Sequence, residues 1–92
     1  MDKREKLHAM EKMLRGLDDI VNTQTSLLKK IGQLEAENIN LGNSILEKQL
    51  PEILSKSDET LEMATALQTE FTASKEKFIK DNKLDEVLPE SK

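Results

Sequence analysis

Apolar residues recur at every seventh position along the first half of the chain. Met13, Ile20, Leu27, Leu34 and Leu41 form one row, and Leu7, Leu14, Val21 and Leu28 a second. Between them runs a third row of Met10, Leu17, Gln24, Ile31, Asn38 and Ile45. In heptad notation these rows are g, a and d, with d in the middle, so the apolar face covers about 120° of a helix. A two-stranded coiled coil needs only the a/d seam. Three rows predict more than one neighbouring helix. The stripe drifts from a/d towards d/g beyond Ile31, as a nearly straight helix does against a 3.5-residue repeat.

The second half repeats the pattern with different contents. Its central row is Leu50, Ser57, Ala64, Phe71 and Phe78. Leu46, Ile53, Thr60 and Leu67 flank it on one side, and Leu54 and Leu61 on the other. The small residues Ser57 and Ala64 predict close approach of a neighbouring helix. Phe71 and Phe78 predict that it splays further on.

Between the halves stands Leu41-Gly42-Asn43-Ser44. Gly42 and Asn43 are the residue types that best tolerate the left-handed conformation closing a helix. Ser44 with Glu47 has the spacing of a capping box that opens the next one. The pattern predicts an all-α fold: an antiparallel hairpin of helices over about 3–41 and 45–83, joined by a turn at 42–44. A break near residues 22–26 would give three helices instead, and ignoring the turn would give one long helix. Pro51 removes a backbone hydrogen bond from a helix that contains it. It therefore predicts either a kink at 51 or a helix that starts there. The hairpin unit spans 1–83, and 84–92, with Pro89 and several charges, is expected to be a flexible acidic tail.

Composition sharpens this reading. Hydrophobic residues are 36% and charged residues 35% of the 92 positions, with Phe71 and Phe78 the sole aromatics. Ordinary globular domains carry roughly 45–50% and about 25%. Long helices with solvated outer faces fit such a balance; a pocket-bearing enzyme core does not. An enzyme is not expected. No cysteine is present, and only Glu5 with His8 has the E-x-x-H spacing of a bundle metal ligand pair. Such sites need a second copy and further glutamates, and His8 shares its row with Arg15, Asn22 and Lys29. Asp58, Glu59 and Glu62 lack the glycine turn of a cation loop. Neither metal nor cofactor is expected.

The net charge of −4 argues against nucleic acid, which calls for a basic face. No apolar run approaches the ~20 residues of a membrane span, and no classical signal peptide is expected behind Met1. The chain is expected to be soluble and cytoplasmic, with signal-independent export left open.

A lone hairpin cannot cover two wide apolar stripes. The expected function is a protein–protein interaction module, a small helical adaptor, scaffold or chaperone-like subunit. It would complete a four-helix bundle or coiled-coil assembly with a second copy or with a helical partner. The expected interaction face comprises Leu14, Leu17, Val21, Gln24, Leu28, Ile31, Leu34, Asn38 and Leu41 in the first arm. Ile53, Leu61, Ala64, Leu67, Phe71 and Phe78 continue it in the second. Gln24 and Asn38 sit among the apolar layers, where either buried amides fix partner register or the hairpin leaves this row partly wet.

Length, all-helical make-up and the mid-chain glycine resemble the WXG100 family of specialised-secretion substrates and partners. Where that family has Trp-x-Gly, this chain reads Asn40-Leu41-Gly42, and Phe78 and Asn82 stand where it has Tyr-x-x-x-Asp/Glu. The resemblance implies, as an alternative, a partner or substrate of a type VII-like secretion system.

Overall fold

Asp2 opens the first helix. Its carboxylate accepts the Glu5 N–H at 2.8 Å, and the Glu5 carboxylate accepts the Asp2 N–H at 2.9 Å, which closes a capping box. In the computed structural model, which describes residues 1–84, the helix α1 then runs Lys3–Leu41. It stops at Gly42, whose φ of 69° places it in the left-handed region. The Gly42 N–H donates to the Asn38 carbonyl at 2.7 Å.

The second helix, α2, spans Ser44–Asp81. Its cap is Asn43, not Ser44. Asn43 has extended backbone angles, and its side-chain oxygen accepts the N–H groups of Ile45 and Leu46, both at 3.0 Å. Ser44 is already the first helical residue, so no Ser44–Glu47 box forms and the connection shrinks to Gly42 and Asn43. Pro51 stands inside α2 and does not begin it. The proline ring withdraws one backbone donor from the second turn, yet the residues on both sides stay helical.

The far end also differs from the sequence reading. The Asn82 amide donates to the Phe78 carbonyl at 2.9 Å, Lys83 turns the chain with a φ of 55°, and Leu84 is buried. Leu84 therefore does not belong to a tail: it lies with Arg4, Leu7 and His8 at the open end of the hairpin. The remainder of the expected tail, 85–92, lies outside the described residues.

The two helices pack along their length into a rod 64 Å long and about 20 Å across. Among the described residues there is no strand, and no helix is long and apolar enough to cross a membrane. The seam is thin. Ile31, Leu50, Ala64 and Leu84 are its buried apolar residues, with Ser57 and Asn38 buried beside them. Leu7, Leu14, Leu17, Val21 and Leu28 of α1 are half-buried, as are Leu54, Leu61, Phe71 and Phe78 of α2. The chain exposes 7179 Å², whereas a compact monomer of this mass exposes about 5,400 Å².

Candidate interaction surface

Two rods laid side by side bury only the rows that meet. The rows that meet are a and d: on α1 the half-buried and buried positions step through 7, 10, 14, 17, 21, 24, 28, 31, 35 and 38, with 9, 11 and 32 half-buried beside them. On α2 they step through 50, 54, 57, 61, 64, 68, 71, 75 and 78, with 79 half-buried beside them. The third apolar row, g, is left outside the seam. Met13 is 63% exposed, and Ile20, Leu27, Leu34 and Leu41 are exposed after it. The flanking row of α2 behaves alike, with Leu46, Ile53 and Leu67 exposed.

These two exposed rows lie on the same side. Lys12, Met13, Gly16, Leu17 and Ile20 of α1 line one cleft with Leu67 and Phe71 of α2. Antiparallel register explains the match. The Gln68 amide donates to the Asp18 carboxylate at 3.2 Å across the seam, and from there both rows advance by sevens in opposite directions. Met13, Ile20, Leu27, Leu34 and Leu41 thus stand beside Ser74, Leu67, Thr60, Ile53 and Leu46, in that order. The result is an uncharged strip five layers long, about 42 Å at 1.5 Å per residue. At the open end the next layer brings Lys6 and Asp81, and the strip stops.

The opposite edge of the seam is built otherwise. Its rows are Glu11, Asp18, Thr25, Gly32 and Ile39 on α1, with Pro51, Asp58, Thr65, Thr72 and Ile79 on α2. Charged or hydroxyl side chains occupy most layers there. Thr72 donates its hydroxyl to the Gln68 carbonyl of its own helix at 2.7 Å.

The residues expected to form the interaction face therefore divide. Leu14, Leu17, Val21, Gln24, Leu28, Ile31, Leu61, Ala64, Phe71 and Phe78 lie in the seam between the two arms. Leu34, Leu41, Ile53 and Leu67 lie on the exposed strip. Met13, Ile20, Leu27 and Leu46 belong to that strip as well, and their signal is the same seven-residue spacing.

Asn38 has a different occupation from the one its row suggests. It is 7% exposed. Its amide donates to the Asn43 carbonyl and its carbonyl oxygen accepts the Asn43 N–H, both at 3.0 Å. The side chain acts as a two-pronged clasp on the turn of its own hairpin, so its hydrogen bonds are met before any partner arrives.

His8 is exposed, as are Asp58, Glu59 and Glu62. Among the described residues no group of three histidine, aspartate or glutamate side chains is placed to hold a metal ion. The sole ion pair among them, Lys77 with Asp81 at 2.9 Å, is one turn apart on the surface of α2. Compared with protein-family models, with curated proteins and with solved structures, the chain finds no match in any of the three.

Proposed function

We propose that this protein is a helical docking module, an adaptor or scaffold subunit whose activity is to bind other helices along the strip from Met13 to Leu41 and from Leu46 to Ser74. The observation that carries the reading is the asymmetry of the hairpin. One edge of the seam has five consecutive layers without a charge, and the other has none of that continuity. Burying the remaining surface of a half-exposed Leu or Ile contributes on the order of 1 kcal/mol. Eight large apolar side chains stand on the strip in that condition, enough to offset the lost freedom of association, about 4–15 kcal/mol, when the partner brings an apolar face of its own.

The partner that fits is an amphipathic helix or helix pair. Two ridges separated by one helix spacing form a groove that accepts residues at i, i+3, i+4 and i+7. Polar positions bordering the strip supply the rim.

The reading is tested by substituting one edge at a time. A tagged chain, Leu27→Glu and Thr65→Glu are each used for affinity capture from cell extract and analysed by mass spectrometry. Proteins retained by the parent chain and by Thr65→Glu, and lost with Leu27→Glu, are the expected result. Retention that does not distinguish the three chains would overturn the proposal.

A further inference from the structure

Resting on that reading, we infer that the occupant of the strip is a second copy of this chain, laid head to tail so that the turn of one hairpin meets the open end of the other.

The strip is complementary to itself in reverse. Its centre is the layer of Leu27 and Thr60, and a two-fold axis through that layer stacks α1 on α1 and α2 on α2, each pair antiparallel. The weakest layer, Met13 with Ser74, then receives Leu41 and Leu46 of the second copy. Every layer except the central one holds at least three apolar residues. Turns placed at the same end would instead stack Met13 on Ser74 of the second copy, and leave two serines in one layer.

Charge makes the same choice. The rows bordering the strip place Lys30 on α1 and Lys56 on α2. With turns together, Lys30 meets Lys56 of the second copy, and like charges held together oppose association. Head to tail, Lys30 meets Thr23, Lys56 meets Met63, and Glu70 meets Gln49. No like charges face each other. The size is sufficient too: a strip about 42 Å long on a rod about 20 Å across covers on the order of 800 Å², the share per partner of a standard stable interface. Isologous pairing of this kind closes on itself and stops at two.

The test uses the full chain. Light scattering at high micromolar concentration is expected to give twice the 10.5 kDa of one chain. Leu34→Glu is expected to weaken self-association roughly 100-fold, an effect of two buried, unpaired carboxylates, while Thr65→Glu leaves the mass doubled. Because the chain has no cysteine, orientation is read by oxidation of single-cysteine variants. Ser74→Cys mixed with Leu46→Cys is expected to form the mixed disulfide, with neither variant forming a dimer alone. Self-linking of Ser74→Cys would overturn the head-to-tail arrangement. A parent chain that stays monomeric, yet loses captured proteins on Leu27→Glu, would overturn self-pairing and leave the docking function standing. A monomer whose captured proteins are indifferent to Leu27→Glu would overturn both.

Discussion

The two edges of the hairpin seam are made from the same helices, by the same antiparallel register, and differ only in residue type. On one, Ile20 stands beside Leu67 and Leu34 beside Ile53. On the other, Asp18 stands near Gln68, to which it is hydrogen-bonded, and Asp58 near Leu28. An isolated hairpin gains little from this bias, because the strip residues stay exposed and the other edge is half-buried only at Glu11, Gly32 and Ile79. The bias has a physical consequence only when something covers one edge. That contrast locates the binding surface more firmly than exposure alone, since scattered apolar residues are common on any surface.

The largest expected effects come from inverting the contrast. Leu27→Asp with Leu34→Asp places two carboxylates in the middle of the strip and is expected to abolish association, read by light scattering or sedimentation. Helix content, read by far-ultraviolet circular dichroism, is expected to persist, since neither residue is buried in the seam. Asp18→Leu with Asp58→Leu on the other edge is expected to create new, less specific association. If the two edges responded equally to added carboxylates, the asymmetry would be ornamental.

Next in size is the seam that both edges share. Ile31 is its most buried residue, at 4% exposure. Ile31→Ala is expected to cost about 2–4 kcal/mol in thermal or denaturant unfolding. It acts on folding first and on association only through folding. A strip variant that unfolded the chain as severely as Ile31→Ala would show that seam and strip are one core.

The sequence pattern made the two helices legible, because every seventh residue is apolar without a phase jump and Gly42 interrupts it once. It could not tell the seam from the strip. A stripe of rows a, d and g is symmetric about d, so Leu17 and Leu34 look equivalent until the arms are paired. Pairing resolves them, because one neighbour covers two rows of three. Asn38 was ambiguous for a related reason. Its row allows a partner contact or a wet position, whereas its reach of five residues to Asn43 becomes visible only once the turn is fixed at Gly42. Asn43 and Ser44 are both good caps, and the position of Gly42 decides between them: the helix ends there, and the residue after it takes the extended conformation a cap requires. The Asp2–Glu5 box went unread in the sequence, although its D-x-x-E spacing is the signal that could have found it.

The turn supplies the third test, because its clasp keeps the two rows in register and so keeps the strip continuous. Asn38→Ala removes two hydrogen bonds that hold Asn43 and is expected to cost about 1–3 kcal/mol. Asn43→Ala loses the cap contacts to Ile45 and Leu46, at about 1 kcal/mol. Both losses are expected in unfolding experiments. A disproportionate loss of association with Asn38→Ala, at temperatures where the chain remains helical, would mean that the clasp sets the alignment of the strip as well as the stability of the hairpin.

The smallest effects give the finest comparison. Gly16 borders the strip, and Gly32 lies on the opposite edge; a β-carbon added at either meets nothing within 4 Å. In a helix interior Ala is favoured over Gly by about 1 kcal/mol, so the hairpin by itself should gain that amount at both sites. For a domain this size the gain corresponds to a rise in Tm of roughly 4–8 °C. Gly32→Ala is expected to deliver it in full, with association unchanged. Gly16→Ala is expected to deliver less, and to weaken association, because a second chain lying on the strip passes over the space the new methyl would fill. The difference between the two variants isolates the partner's approach from helix propensity, which they share. Equal gains and unaltered association would mean that whatever covers the strip leaves its Gly16 border open.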